Sequence, residues 1–558
     1  MMIKTMNKQI ITLVILLLLT SLLSAQVNYE PLNKSVYEYL ENISTQGYIV
    51  LNTEIKPFSR RYIAEKLNEI YVKKGSLTEI EADELVFYMR DFSNELVNIG
   101  FDIGQLPKTD VSNLKFLGHI GFNEVGRFHL FNFKNESFTF KFDPIYGYSS
   151  SKSESINSTH FWNGLSFYGS ISDFIGFEMN FRDNSIDGNI DADRNFSPQT
   201  GYSFKVKRED GSMEFDEVNG NLTFSNSWAS LTLGKDYIYY GEGTQGNIIL
   251  GNKAPSFPHI KLEVNPVEWF RFSYVYGWLN SQVIDSSSIR YNEGGWESFK
   301  HIPKYYVAHV FSFTPFEAFN FSLGESVIYS DSFEPIYLVP VLFFRLADHY
   351  LTVPDNAAGN AQLFGSFWYN YSMINTRFYG SVYIDELSVQ TLLAGTPGPK
   401  AIAYTIGASV VNPYIADLQI NVEYSKLDPF VYFHRDDAQM YTNYNYQLGH
   451  WIGSNSDQFY ISVNKTILRG LNSKLWYSYV RRGERESADE PRYQEKHVFL
   501  WGLNTQYSNW GISANYEIIH DVFVKASYQS YQTSEEQTTG NFIDTRKNEF
   551  FMSLNYGF

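Results

Sequence analysis

The densest group of positive side chains lies near the C-terminal end of the chain. Its members are Arg481, Arg482, Arg485 and Arg492. Guanidinium groups bind carboxylates and phosphates through paired hydrogen bonds, so this group could hold uronic acid or phosphate substituents. Four acidic residues occur in the same segment, namely Glu484, Glu486, Asp489 and Glu490. Neutralisation of the arginines within their own loop is therefore the favoured alternative.

Three tryptophans, Trp296, Trp368 and Trp451, fall in or near predicted loops. An indole face offers an apolar platform on which a sugar ring can pack. Tryptophan also anchors membrane barrels at the interface, which is its more frequent use there. The sequence leaves both interpretations open, and we keep Trp296 and Trp451, with the four arginines, as candidate sugar-binding residues.

One acidic run could supply oxygen ligands to a metal ion. Its candidate ligands, spaced two residues apart, are Asp187, Asn189, Asp191 and Asp193. Ca²⁺ prefers such ligands, but the run lacks the glycine of an EF-hand loop, and Pro198 stands where that loop has its bidentate glutamate. A solvated acidic loop is the favoured interpretation, and we expect neither a bound metal nor a cofactor.

No catalytic motif of fixed spacing occurs in the chain. It has no cysteine, which excludes a thiol nucleophile, a disulfide framework and a thiolate metal site. It also lacks H-E-x-x-H, G-x-S-x-G and Walker A patterns. The eleven histidines are scattered, so a Ser–His–Asp constellation could arise only in the fold. We therefore predict that the protein is not an enzyme.

Alternating apolar residues are the dominant pattern along the chain. One segment has Phe270, Phe272, Tyr274, Tyr276 and Trp278 on a single face. The C-terminal end repeats the pattern with Phe550, Met552, Leu554, Tyr556 and Phe558. Such runs reach about nine residues or more, the length that a tilted strand needs to cross a bilayer. The pattern predicts a mainly β fold, a large antiparallel transmembrane β-barrel, with a soluble sandwich or propeller as the alternative.

Composition favours the barrel. Aromatic residues make up 17% of the chain, and the mean hydropathy is only −0.28. Residues 108–558 accommodate about 18 strands, with a range of roughly 16 to 20. Turn-rich composition marks the longest predicted loops at residues 184–218, 280–303, 330–365, 426–457, 483–496 and 533–547.

The chain begins with Lys4, Lys8, an apolar stretch and Ala25, which indicates a signal peptide over residues 1–25. Residues 26–107 show a helical period instead, including a capping box at Thr78 and Glu81, and predict a small periplasmic helical bundle. The segment from Lys56 to Arg61 resembles S-layer-homology modules, which implies peptidoglycan contact. A plug or cap for the barrel is the favoured alternative. The net charge of −17 argues against nucleic acid as a partner.

Two blocks in the middle of the chain exceed the generic barrel pattern. The first contains Gly234, Gly241, Gly243 and Gly251 and ends in Ala254-Pro255-Ser256-Phe257-Pro258. The second runs from Gly324 to Tyr329, with Pro335, Pro340 and Asp355-Asn356 downstream. These blocks resemble the capsule assembly Wzi family. A weaker third block is residues 444–457.

The resemblance implies an 18-stranded barrel in the bacterial outer membrane, a lumen occluded by bundle and loops, and a lectin-like surface that tethers capsular polysaccharide without catalysis. Outer-membrane lipids and lipopolysaccharide would be further partners. The glycines, with Ala254 and Pro255, are interpreted as architectural, since glycine lets a loop fold back into a lumen. An open porin or substrate-specific channel is the alternative, and an enzyme acting on lipid or glycan is third.

Overall fold

The computed structural model describes residues 28–557, except 118, 155–156, 173, 189–195, 204, 352–358, 388–399 and 486–497. The predicted signal peptide and Phe558 therefore lie outside the described residues. So do Arg492 and three of the candidate calcium ligands, Asn189, Asp191 and Asp193.

The described residues form one closed barrel of eighteen antiparallel strands. In chain order the strands are β1 Phe138–Ser153, β2 Asn157–Ile171, β3 Ile175–Gly188, β4 Met213–Ser225, β5 Ala229–Asp236, β6 Phe257–Val267, β7 Phe270–Ile284, β8 His301–Phe316, β9 Phe319–Ser330, β10 Asn360–Tyr371, β11 Thr376–Leu387, β12 Lys400–Val411, β13 Leu418–Leu427, β14 Ser456–Leu468, β15 Leu471–Arg482, β16 Thr505–Ile519, β17 Val522–Glu536 and β18 Phe542–Tyr556. Strand β18 pairs with β1 and closes the barrel. The predicted fold class and strand number are confirmed.

The two faces of the wall differ as the alternation predicts. Leu323, Ile406 and Met552 lie on the outer face and are 58%, 54% and 49% exposed, so lipid can cover them. Ser312 and Asn320 lie on the inner face and are buried. Apolar side chains outside and polar side chains inside are the arrangement of a membrane barrel, not of a water-soluble one.

Connections at the two ends of the barrel differ in length. At one end β14 and β15 are joined by residues 469–470, and β16 and β17 by residues 520–521. At the other end, residues 237–256 and 428–455 connect strands. Outer-membrane barrels have short periplasmic turns and long extracellular loops, which assigns the two ends.

One predicted loop is wrong. Residues 533–547 were expected to form a long loop, but β17 and β18 continue through most of them, with Thr533 paired to Thr545. Both faces of this hairpin tip carry polar residues. Because no face is buried in lipid, the apolar alternation by which strands are recognised is absent there.

Among the described residues, four α-helices precede the barrel: α1 Val36–Thr45, α2 Arg60–Val72, α3 Glu79–Asp91 and α4 Ser93–Asn98. Ser59 caps α2, and Thr78 with Glu81 forms the capping box of α3. Leu40, Ile43, Leu67 and Met89 share one fully buried core. No helix among the described residues is long and apolar enough to cross a membrane. The exact domain boundary at residue 108 stays a prediction.

An ionic cluster attaches the bundle to the short-turn end of the barrel. Asp521, in the turn between β16 and β17, binds Lys34 at 2.5 Å and also binds Arg127. Arg127 in turn binds Asp91 of α3 at 3.0 Å. Burial alone would raise the pKa of Asp521, but the two cations outweigh it and hold that pKa well below its ordinary value. Asp521 is therefore ionised while the bundle is attached.

Asp521→Asn should destabilise the attachment of the bundle. Removing one partner of a buried ion pair lowers the free energy of unfolding by about 3–5 kcal/mol, because the other charge stays buried without a partner. Urea unfolding of the refolded protein in liposomes would measure the loss. Glu69→Gln, which breaks the exposed Lys66–Glu69 pair, is the control and should cost less than about 1 kcal/mol. Equal losses for the two variants would contradict the assignment.

Acid should release the bundle only at low pH. Burial would raise the pKa of Asp91, but Arg127 and Arg60 hold that pKa well below its ordinary value. The pKa of Asp521 is likewise lowered, by Lys34 and Arg127. A carboxyl group with a lowered folded pKa adds stability above its unfolded pKa of about 3.9 and loses it as the pH falls through the folded value. Hydrogen exchange of α2 and α3 should therefore stay protected at pH 5 and rise below about pH 4. Release between pH 6 and pH 5 would contradict this.

Candidate functional site

Two long connections from the extracellular end fold into the lumen. We call residues 237–256 loop A and residues 428–455 loop B. In loop A, Tyr240, Ile248 and Leu250 are completely buried, and in loop B the same holds for Tyr441 and Ile452. Their side chains belong to one apolar cluster with inner-wall residues of the barrel. The lumen therefore has an apolar core formed by its own loops.

Polar side chains of the wall and the bundle hold loop A in place. Glu423 on β13 accepts hydrogen bonds from the backbone N–H groups of Thr244 and Gln245, the latter at 3.0 Å. Glu242 binds Arg377 of β11 at 3.2 Å, and both groups contact Thr53 of the bundle. The loop is thus fixed at its turn, where buried backbone N–H groups without hydrogen-bond partners would be costly.

Backbone contacts extend loop A to the bundle. The N–H of Gly241 donates to the carbonyl of Glu54 at 2.8 Å, and the short strand Ile55–Lys56 pairs with Tyr239–Tyr240. Gly241 has a φ of +101°, a left-handed conformation that disfavours other residues. A Cβ at Gly243 would lie 2.1 Å from the carbonyl oxygen of Gly246, so the turn has no room for a side chain there.

Loop B is stacked on loop A. Tyr441 and Trp451 donate hydrogen bonds to the carbonyls of Ile249 and Gln245 of loop A, both at 2.9 Å. The N–H of Gly251 donates to the carbonyl of Leu448 at 2.8 Å. The two loops therefore form one continuous structure inside the barrel, which we call the plug, and the bundle is joined to it through loop A.

The remaining residues of the predicted architectural block flank loop A. Gly234 lies in β5, paired with Asn221 of β4. Ala254 and Pro255 are buried where loop A returns to the wall, and the carbonyl of Pro255 accepts a hydrogen bond from Asn443 of loop B at 3.0 Å. The architectural role of this block stays a prediction.

The predicted arginine group is divided by the structure. Arg481 binds Asp457 of β14 through two hydrogen bonds, at 3.0 and 2.6 Å. Of the acidic residues that the sequence offers as partners, Glu486, Asp489 and Glu490 lie outside the described residues, so neutralisation within the loop stays a prediction. The Arg482 guanidinium lies 4.6 Å from the ring centre of Phe196. Arg485 follows in the loop after β15, and Arg492 lies outside the described residues.

The candidate tryptophans occupy different environments. Trp296 is 77% exposed in a hairpin whose strands are Arg290–Tyr291 and Glu297–Ser298. Trp451 lines a cavity of about 310 Å³ inside the lumen, together with Lys56, Tyr239 and Lys253. Trp368, expected near a loop, lies in β10 and is completely buried. Only Trp296 is on the extracellular surface.

The predicted calcium ligands give no site in the described part of the chain. Asp187 lies at the exposed end of β3. Within the described residues no group of three or more histidine, aspartate or glutamate side chains could hold a metal ion.

Sequence reasoning missed the residues that hold loop A. Glu423 and Arg377 lie on the inner face of strands, where polar residues are expected in any barrel, so their type carries no special signal. It also missed Tyr291, which is 70% exposed on the same hairpin as Trp296.

Comparison with known proteins decides the family. A family model described as capsule assembly protein Wzi matches residues 118–545. The chain belongs to the Wzi family. The predicted resemblance is confirmed, and the barrel is an outer-membrane protein.

A solved structure supports this assignment at the level of the fold. It is described as Wzi of Escherichia coli, an outer membrane protein involved in group 1 capsule assembly and a carbohydrate-binding β-barrel. At 11% sequence identity its TM-score is 0.55, with 96% of this chain and 100% of that chain covered. No curated protein sequence matches the chain.

Porin-like barrels are more distant. OprD of Pseudomonas aeruginosa has a TM-score of 0.42 at 10% identity, with 75% of this chain and 92% of that chain covered. OccAB1 of Acinetobacter baumannii has a TM-score of 0.41 at 11% identity, with 75% and 96% covered.

Glu423→Ala should loosen loop A and make the barrel permeable. The substitution leaves two N–H groups without their acceptor, at a cost of about 1–3 kcal/mol for each. Swelling of proteoliposomes in a small sugar would measure the permeability. Asn421→Ala is the matched control, since Asn421 is on the same face of β13 and donates a hydrogen bond to the wall residue Ser462, at 3.3 Å. Equal swelling for both variants would show that Glu423 does not hold the plug.

Proposed function

We propose that the protein holds capsular or other extracellular polysaccharide at the cell surface, without catalysing a reaction. Membership of the Wzi family supports this proposal, as does the carbohydrate binding stated for the E. coli protein of the same fold. The groups that contact the polysaccharide are therefore inferred from the extracellular face of this chain.

The observation on which the proposal rests is the plug. Loops that bury their own apolar core inside the barrel, and whose backbone is bound by wall residues, oppose the passage of solutes. A porin instead keeps a wet lumen lined by polar side chains. The plug thus favours a function at the surface of the barrel over transport through it.

The exposed hairpin is the part of the surface best suited to sugar. Tyr291 and Trp296 are 70% and 77% exposed, and Phe299 is 45% exposed beside them. Aromatic rings stack on the apolar faces of sugars. Tyr291 and Trp296 also lie at the extracellular end, in the connection between β7 and β8. We assign the first contact with the glycan to these rings.

The arginines make a smaller contribution in this account. Arg481 is already neutralised by Asp457, although 42% of its side chain remains exposed. Arg482 packs over Phe196. A glycan with acidic groups would gain charge-assisted contacts at this position, whereas a neutral glycan would not. Roles for Arg485, Arg492 and Trp451 stay predictions.

Two further partners belong to the proposal. The apolar outer face of the wall suits outer-membrane lipids, including lipopolysaccharide. The bundle lies at the periplasmic end, from which it could reach peptidoglycan. Both contacts stay predictions.

Trp296→Ala and Tyr291→Ala should weaken polysaccharide binding. One ring contact contributes about 0.5–1.5 kcal/mol, so each substitution should raise Kd by roughly 2- to 10-fold. Affinity electrophoresis of the detergent-solubilised protein in gels containing the cell's own exopolysaccharide would measure it. Trp269→Ala is the matched control, since Trp269 is 55% exposed but lies at the periplasmic end. Unchanged binding in both hairpin variants would contradict the assignment to the hairpin.

A further inference from the structure

Part of the outer face of the barrel is covered by protein. Tyr276 of β7, Val307 of β8 and Val327 of β9 point outward but are completely buried. Leu323, also outward on β9, is 58% exposed. The covered patch extends over three neighbouring strands, so a separate element must lie on it.

The covering element is the segment that follows β9, residues 332–347, which we call the strap. It contains a short 3₁₀ turn, Pro335–Leu338, and the first half of helix α5, Phe344–Leu351. Tyr337 and Phe344 face the wall: the Tyr337 ring centre lies 4.8 Å from that of Tyr329, and the Phe344 ring centre lies 4.6 Å from that of His309. The strap therefore turns back from the extracellular end and descends along the outside of the barrel.

Hydrogen bonds hold the strap to the wall. The carboxyl group of Glu325 on β9 accepts the N–H of Phe344 at 2.6 Å, at the first residue of α5. His309 of β8 lies 3.3 Å from the same carboxyl oxygen. The Tyr274 hydroxyl donates to the carbonyl of Tyr337 at 2.7 Å. The strap thereby supplies polar partners to the wall.

These polar groups explain why the wall needs a cover. Glu325 and His309 lie near the middle of their strands and point away from the lumen. An ionisable side chain at that depth is costly in contact with hydrocarbon. Under the strap it is buried in protein and hydrogen-bonded, so the cost is avoided.

The opposite face of the strap is apolar. Its exposed apolar side chains include Leu338 at 45%, Val339 at 47%, Val341 at 69%, Phe343 at 50% and Leu346 at 51%. These fractions match those of the lipid-facing wall, such as Met552 at 49%. Arg345 is the single charged residue between positions 335 and 347, and its long side chain can extend toward the headgroups.

We propose that the strap is embedded in the outer leaflet of the membrane, with lipid acyl chains against Val341, Phe343 and Leu346. The occupant follows from continuity: the apolar face of the strap continues the lipid-facing wall at the same depth as Glu325 and His309. Glu325 is the positioning residue that fastens the strap. This inference is independent of polysaccharide binding.

Single-cysteine spin labelling tests the position of the strap, since the chain has no cysteine of its own. Val341→Cys and Leu346→Cys would be labelled in proteoliposomes, with Leu323→Cys as the lipid-facing control and Ser298→Cys, in the exposed hairpin, as the water-facing control. We expect both strap labels to behave like the label at position 323, accessible to oxygen and shielded from a water-soluble nickel chelate.

Two results would overturn the proposal. Strap labels as accessible to the nickel chelate as the label at position 298 would place the strap in water. Labels shielded from both oxygen and nickel would show that protein, such as a second copy of the chain, covers the strap.

A second variant tests the fastening. In the Val341→Cys background, Glu325→Ala should raise nickel accessibility several-fold, whereas Glu325→Gln keeps an acceptor oxygen and should stay near the parent. Glu317→Ala, at an exposed periplasmic turn, is the control. Nickel accessibility unchanged by Glu325→Ala would remove Glu325 from the fastening.

Discussion

The closure of the lumen depends on one interaction, the binding of the loop A backbone by Glu423. A loop that enters a lumen must satisfy the N–H and C=O groups that it takes out of water. Glu423 provides acceptors for Thr244 and Gln245, and the carbonyl of Glu54 provides one for Gly241. Once that turn is fixed, loop B can stack on it and bury the apolar core. The plug therefore combines hydrogen bonds that fix the turn of loop A with an apolar core that the two loops form together.

The same rule explains the two sides of the wall. Inside, polar wall residues bind the plug, and at the periplasmic end Asp521 binds Lys34 and Arg127. Outside, Glu325 and His309 interrupt the apolar face near the middle of their strands, and there the strap supplies the missing partner. At these positions the departure from the barrel pattern thus coincides with an additional segment of the chain. The surface that we propose for a glycan is what remains uncovered at the extracellular end, where Trp296 is 77% exposed.

The sequence predicts the strands well because their signal is local. Alternation over residues such as Phe270 to Trp278 depends only on which face meets lipid, so the fold class followed from it, and the strand number followed from the length of residues 108–558. The prediction of a loop at residues 533–547 failed because neither face of this hairpin tip is buried. The capping box at Thr78 likewise depends on neighbours three residues apart, and it is present in α3.

The candidate site was less predictable because its contacts are long-range. Arg481 binds Asp457 across a strand pair, and no spacing along the chain indicates that choice over the nearby glutamates. Trp451 and Trp296 both fall in predicted loops, but the direction in which a loop folds is set by partners such as Gln245 that are distant in sequence. The strap is an apolar segment without alternation, and the residues that position it lie in the preceding strands.

Planar-bilayer recording of the intact, refolded protein tests the central claim most directly. A plug fixed to the wall and to the bundle predicts no steady current at moderate voltage, which would leave the extracellular surface as the functional part of the molecule. A steady, ohmic conductance in every insertion would contradict the closed lumen and would favour a channel instead.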